Sequence, residues 1–158
     1  MHALKSAPLR KQHESLRKHI AAIKKLLNPF LLVQSASEAR SLITQLFGEL
    51  GKHLQQESKE LYQALDEGTD EAAKAMSARF GMEMKQKLPQ LAEFNRNWPN
   101  SDAIRGNGSA FIKDADAMLT WLEKRFIAEN NELYPLLDKQ DLARMAISDN
   151  PELKIARI

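Results

Sequence analysis

Two histidines and three glutamates interrupt positions that helical periodicity reserves for apolar side chains, and these residues are candidate metal ligands. They are His13, His53, Glu57, Glu83 and Glu129. An unpaired carboxylate is costly to bury, so each must be paired with a cation or must bind a metal ion. Imidazole nitrogens and carboxylate oxygens together suit iron or manganese. The residue types therefore predict either a metal site or a network of buried ion pairs.

The spacing of these residues favours a shared site. His53 and Glu57 lie four residues apart, so they project from one face of a helix and can chelate a single cation. His13 can supply a third ligand from the preceding helix. In the third helix, Glu83 and Met84 are alternatives for the inward position, because both lie near the edge of the apolar face. One inward histidine is more often a hydrogen-bonded core residue, so the prediction depends on the cluster.

The fourth helix contributes Arg125 and Glu129 to the same inward face. Arginine stays charged and offers donors alone, so it cannot ligate a cation. It can pair with Glu129 one turn away. Two alternatives are open: a carboxylate-rich site from which Arg125 is turned aside, or a metal-free layer in which Arg125 and Lys87 offset the carboxylates.

Four long amphipathic segments must position these side chains. Apolar residues recur at helical spacing over about residues 8–27, 37–66, 70–98 and 109–138. Pro29 is expected to stop the first helix, Pro89 to kink the third, and residues 99–108 to form a loop. Long helices with short links predict an all-α fold, an antiparallel up-down four-helix bundle. At about 1.5 Å of rise per residue, the inward polar residues fall in one layer of that bundle.

Length and composition narrow the functional classes. The 158 residues fit one bundle over residues 1–138, followed by a short helix and tail over residues 139–158. The absence of cysteine excludes disulfides and thiolate sites and predicts a reducing, cytoplasmic location. No apolar run is long enough for a membrane span, and the N-terminus lacks the apolar core of a secretory signal.

Charge and motifs exclude further classes. The net charge is +2, and the basic residues of the first helix are expected to form a solvated face and not a nucleic-acid surface. The sequence shows no serine–histidine arrangement and no glycine-rich phosphate loop, so an independent enzyme is not expected.

An internal repeat connects the second and fourth helices. Residues 53–65 (HLQQESKELYQAL) align with residues 125–137 (RFIAENNELYPLL), with two glutamates, a Leu-Tyr pair and the final leucine in common. The repeat resembles the HxxxE and LYP signature of the hemerythrin-like (HHE) cation-binding family, as does the opening QHESLRKHIAAI. Tyr62 and Tyr134 of the repeat are expected to pack near helix ends without a chemical role.

The resemblance implies a four-helix bundle that holds non-haem iron, usually two ions with bridging carboxylates. The family's ligands are a histidine from the first helix, HxxxE from the second, a histidine from the third and HxxxE from the fourth. Three ligands of the first half, together with the last glutamate, match residues His13, His53, Glu57 and Glu129. Two of the usual histidines are missing, because the chain has Met84 and Arg125 at those positions.

The resemblance implies one or two iron ions, or none given these departures, and a role in oxygen or redox sensing or iron handling. Dioxygen is then a candidate small ligand. The alternative is a metal-free bundle that acts as a protein-interaction regulator, because residues 48–65 and 121–130 locally resemble helical anti-sigma regulators. His19 lies one step off the apolar series, so it is expected to face outward and to contribute little to metal binding.

Overall fold

A computed structural model of the chain describes residues 4–149, and within that range it contains helices and no strands, which confirms the all-α prediction. The α-helices are α1 (Ala7–Lys24), α2 (Pro29–Glu57), α3 (Gln63–Glu67), α4 (Glu71–Asn97), α5 (Ser101–Gly106), α6 (Gly108–Ala128) and α7 (Tyr134–Asp149). Two π-helical turns, π1 (Ser58–Tyr62) and π2 (Glu129–Leu133), join α2 to α3 and α6 to α7. The four long rods of the bundle are therefore α1, α2–π1–α3, α4 and α6–π2–α7.

The start of α2 differs from the sequence prediction. Pro29 was expected to stop the first helix, but α1 already ends at Lys24, and Pro29 begins α2. The Asn28 side chain caps α2 by accepting a hydrogen bond from the Phe30 backbone at 2.9 Å. A proline at the first helical position after an asparagine cap is a strong start signal, since its missing N–H needs no partner there. The second helix consequently begins eight residues before Ser37.

One further segment also differs from expectation. The predicted loop over residues 99–108 contains the short helix α5, whose Ile104 is fully buried against α2. Helix α4 continues through Pro89 to Asn97. Helix α7 includes the first part of the short helix and tail predicted over residues 139–158, and residues 150–158 lie outside the described part of the chain. The division of the chain at residue 138 stays a prediction.

Buried apolar side chains form two clusters with a polar layer between them. The larger cluster draws on α1, α2, α4, α5 and α6. The smaller cluster contains Leu9, Leu61, Leu65, Ala73, Phe80, Leu133, Tyr134 and Leu137. On α1, for example, His13 lies between Leu9 of the smaller cluster and Leu16 of the larger one. The layer between the clusters comprises His13, His53, Glu57, Arg125 and Glu129, all of them buried.

Among residues 4–149, no helix combines the length and apolar character needed to cross a membrane.

Candidate metal centre

Four ionisable side chains from three rods of the bundle converge in the polar layer. They are His13 of α1, His53 and Glu57 of α2, and Glu129 at the first position of π2. Each has at most 1 % of its surface exposed. One potential ligand atom from each lies within 4.8 Å of the others.

The imidazole nitrogens form the middle of this cluster. The Nε2 atoms of His13 and His53 are 3.0 Å apart. Glu129 Oε1 lies 3.0 Å from His13 Nε2 and 4.0 Å from His53 Nε2. Glu57 Oε1 lies 3.4 Å from His53 Nε2. Ligand atoms around an iron or zinc ion, each about 2.0–2.2 Å from the metal, have separations of this order.

Two amide side chains fix which ring nitrogens face the centre. Asn130 Oδ1 lies 2.8 Å from His13 Nδ1, and Gln12 Oε1 lies 2.6 Å from His53 Nδ1. An amide oxygen accepts, so each Nδ1 carries a proton and donates it outward. A hydrogen bond at one ring nitrogen selects the tautomer, as in metal-binding histidines generally. In neutral His13 and His53, the lone pairs on Nε2 therefore point at each other.

Two carboxylate oxygens in the cluster lack a donor. No described residue donates a hydrogen bond to Glu57 Oε1 or Glu129 Oε1, although both are fully buried. Buried polar atoms without a partner are rare and indicate an additional bound species when they occur together. The lone pairs on two nitrogens and two oxygens thus converge on one point, and the donor set fits a cation.

The pKa values show how strongly this layer demands positive charge. Burial lowers the pKa of His53, but the neighbouring Glu129 and Glu57 outweigh burial and raise it from 6.5 to about 9. Burial raises the pKa of Glu57 from 4.5 to about 7. Burial also acts against ionised Glu129, yet the imidazoles of His13 and His53 hold its pKa well below the usual value. Without a metal ion, bound protons must supply the positive charge that Arg125 does not.

Arg125 lies beside the cluster and is 4 % exposed. Its Nε donates to Glu129 Oε2 at 3.3 Å, and its Nη2 donates to the Phe80 carbonyl at 2.7 Å and to Tyr62 Oη at 3.0 Å. Its guanidinium also stacks 4.6 Å from the centre of the Phe80 ring. Arg125 is thus turned toward Glu129, whose second oxygen remains directed at the histidines.

The remaining polar candidates of α4 lie outside the cluster. Met84 is buried and takes the inward position, whereas the Glu83 side chain is 52 % exposed and contacts Arg125 Nη1 at 3.4 Å. Glu83 is therefore not brought to the other four predicted ligands. Lys87, expected on the core face, instead lies 4.9 Å from the centre of the Trp121 ring near the surface. The ligand assignments themselves remain predictions.

His19 lies apart from the four buried candidate ligands. Its Nδ1 is 3.3 Å from Glu49 Oε2, and its Nε2 is 3.3 Å from Gln45 Oε1. Its side chain is 22 % exposed and is half-buried between α1 and α2. It therefore provides a matched control for the histidines of the centre.

Sequence reasoning missed Tyr134, whose hydroxyl lies inside the cluster. Tyr134 Oη donates to Glu57 Oε2 at 2.7 Å and lies 2.9 Å from His13 Nε2 and 3.4 Å from His53 Nε2. Burial and the nearby charges of Glu129 and Glu57 raise the pKa of Tyr134, so its phenol is neutral in the absence of a bound cation. The available signal was the repeat, which puts a tyrosine five residues after Glu57 and five residues after Glu129.

The π turns explain how Tyr134 reaches this position. A π turn closes its hydrogen bond over five residues instead of four, so it needs about one more residue per turn. Within π2, the Tyr134 N–H bonds to the Glu129 carbonyl, and the residue five positions after Glu129 returns to nearly the same face. An α-helical period assigns Tyr134 to a different face, which is why a purely helical analysis gives it no role.

Comparison with known proteins agrees with this architecture. The sequence profile of the Hemerythrin HHE cation binding domain matches residues 5–137. Searches of curated proteins and of solved structures found no match. The matched range contains all four converging candidate ligands and both π turns. The chain belongs to the hemerythrin HHE cation-binding family.

Proposed function

We propose that this protein binds one non-haem iron ion through His13, His53, Glu57 and Glu129. The observation that carries the proposal is the convergence of four buried ligand atoms, two of which are carboxylate oxygens that receive no hydrogen bond from the described residues. Two imidazoles and two carboxylates suit iron, and manganese competes for the same donor types. A bound iron ion supplies a redox centre and a binding position for a small ligand such as dioxygen.

Arg125 and Met84 limit the site to a single ion. They stand where the family pattern has histidines, and neither α4 nor α6 contains any histidine. A guanidinium has no lone pair to offer and repels a second cation. Arg125 instead places a permanent positive charge next to Glu129, where a two-ion site has its second metal.

Oxygen or redox sensing fits this site better than substrate turnover or iron delivery. All four ligands are almost completely buried and lie between two apolar clusters, which admits a diatomic molecule more readily than a larger substrate. The same enclosure opposes rapid exchange of iron with a recipient. The outer hydrogen bonds from Gln12 and Asn130 further fix the ligands, since such partners strengthen metal sites.

The first prediction concerns stoichiometry. Anaerobic titration of the metal-free protein with ferrous iron, followed by metal analysis after desalting, is expected to saturate at about one ion per chain, because binding requires the whole converging set. Manganese serves as a competing ion. Saturation near two ions per chain contradicts the single-ion arrangement, and an absence of uptake contradicts metal binding altogether.

The second prediction separates ligand from surface histidine. His53→Ala is expected to weaken iron binding at least tenfold, since it removes a ligand nitrogen, whereas His19→Ala is expected to change it less than about twofold. Both residues lie on the α1–α2 side of the bundle, so the pair controls for general loss of packing. Equal effects of the two substitutions, measured by competition with a chelating dye, contradict the site assignment.

A metal-free interaction regulator is the second candidate, and the Arg125–Glu129 pair favours it. That pair shows that part of the buried negative charge is balanced by the chain itself. A test is capture of an RNA polymerase sigma factor by the purified full-length chain, with and without iron. Binding that is strongest without iron supports the regulator, and no binding in either state argues against it.

A further inference from the structure

The phenol oxygen of Tyr134 lies among the atoms that the proposed iron ion contacts. It is within 3.4 Å of two of them, His13 Nε2 and His53 Nε2, and it donates a hydrogen bond to Glu57 Oε2, the second oxygen of a third predicted ligand. The tyrosine is fully buried. The Tyr134 hydroxyl therefore belongs to the buried polar layer and lies at the same depth as the predicted ligands.

The single phenol proton cannot account for both the contact with Glu57 Oε2 and the contact with His13 Nε2. Tyr134 has one proton, which it donates to Glu57 Oε2. His13 donates from Nδ1 to Asn130, so in its neutral form its Nε2 has a lone pair facing the phenol oxygen at 2.9 Å. Two lone pairs that face each other at this distance repel unless a cation or a shared proton lies between them. The Tyr134–His13 contact, like the contact between neutral His13 and His53, therefore places two lone pairs opposite each other.

We propose that Tyr134 is a fifth protein ligand, a phenolate bound to the iron ion in its ferric state; this rests on the iron site proposed above. When ferric iron binds, the phenol O–H bond breaks, an iron–oxygen bond forms, and the proton leaves to solvent. A bound cation readily removes a ligand's proton, and metal sites release protons on loading. No electron is transferred in this step.

Charge balance favours this arrangement for a trivalent ion. Glu83, 3.4 Å from Arg125, offsets the charge of that guanidinium. The three negative charges of ionised Glu57, Glu129 and Tyr134 then neutralise ferric iron within a dry layer, where uncompensated charge is costly. With a divalent ion, the two carboxylates suffice and Tyr134 keeps its proton. Tyr134 therefore binds the ion as a phenolate in the ferric form and not in the ferrous form.

The second tyrosine of the repeat does not share this role. Tyr62 occupies the equivalent position in π1, but its Oη accepts a hydrogen bond from Arg125 Nη2 at 3.0 Å. A neighbouring guanidinium excludes a metal ion from that oxygen. The repeat therefore supplies one ligand tyrosine and one matched control.

The test uses the full-length chain loaded with ferric citrate and desalted, with bound iron measured by metal analysis. A phenolate bound to ferric iron gives a charge-transfer band in visible light and enhanced tyrosine ring modes in the resonance Raman spectrum. We expect both signals in the wild-type protein and in Tyr62→Phe. Tyr134→Phe is expected to bind iron about tenfold more weakly and to lose both signals.

Isotope labelling keeps the test decisive if Tyr134→Phe fails to fold. The sequence has two tyrosines, so Tyr62→Phe grown with ring-deuterated tyrosine carries its label at Tyr134 alone. The enhanced ring modes must then shift. Bound iron without the visible band, or a band unchanged in Tyr134→Phe, overturns the tyrosine ligand and leaves the iron site intact. Failure of the wild-type protein to bind iron overturns the iron site and the tyrosine ligand together.

Discussion

Arg125→Ala is expected to lower the free energy of unfolding of the metal-free protein by about 3–5 kcal/mol, the usual cost of removing one partner from a buried ion pair. The substitution leaves Glu129 without its 3.3 Å contact to Arg125 Nε and removes the donors to Tyr62 Oη and the Phe80 carbonyl. Urea denaturation followed by circular dichroism measures the change.

Arg79→Ala is the matched control for this substitution. Arg79 also contacts Glu83, at 3.9 Å, and also lies near the Phe80 ring, but its side chain is 56 % exposed. Its replacement is expected to change the free energy of unfolding by less than about 0.5 kcal/mol. Similar losses for both variants contradict the role assigned to Arg125.

A bound metal ion is expected to restore part of the stability of Arg125→Ala, because the ion neutralises the buried charge on Glu129 that Arg125 no longer offsets. At one hundred times its dissociation constant, a ligand that binds the folded state adds about 2.7 kcal/mol. The family resemblance implies a histidine ligand at this position, and this chain has a guanidinium instead. Arg125 is thus a fixed cation that stabilises the layer whether or not iron is bound.

The helices and most of the cluster could be predicted from the sequence, because regular α-helices repeat reliably every 3.6 residues. That period correctly puts His13, His53 and Glu57 on inward faces, and α1 and α2 are regular over all three positions. Helix starts were less certain because they depend on local capping. Pro29 was assigned to the end of one helix, although with Asn28 it forms the start of the next.

The sequence could not decide the inward or outward orientation of two kinds of residue. These are adjacent residues at the edge of an apolar face and residues that follow a π turn. Glu83 and Met84 differ by one helical step, and their placement depends on how α4 is rotated in the bundle, which buries Met84 and leaves Glu83 half exposed. Tyr134 follows a π turn that a 3.6-residue period does not contain. The turn π1 begins one residue after Glu57, and π2 begins at Glu129, so both departures from regular α-helix lie at the candidate site. Such turns are frequent at functional sites.

The metal-free protein is expected to lose stability as pH rises from about 6.5 to about 9. The pKa of His53 is raised from 6.5 to about 9 by Glu129 and Glu57, against the opposing effect of burial. A raised pKa stabilises the fold fully below the unfolded value of 6.5, and this contribution disappears as pH passes the folded value. The loss is on the order of 3 kcal/mol over this range. Burial raises the pKa of Glu57 from 4.5 to about 7, so the contribution of this carboxyl to stability also falls as pH rises through that lower range.

Iron and a single substitution should each remove this pH dependence, for different reasons. In the protein loaded with ferrous iron, the metal replaces the proton on His53 and Tyr134 keeps its own proton, so folded and unfolded chains differ little in bound protons above pH 6.5. In metal-free His53→Gln the titrating group itself is gone. Denaturation at several pH values, with the chain metal-free, loaded and substituted, measures all three slopes. An equal fall in stability for metal-free wild type and metal-free His53→Gln contradicts the assignment, because the proton then resides elsewhere. A flat profile for the loaded protein ties the stabilising charge to the position between the two imidazoles, where the proton and the metal ion are alternatives.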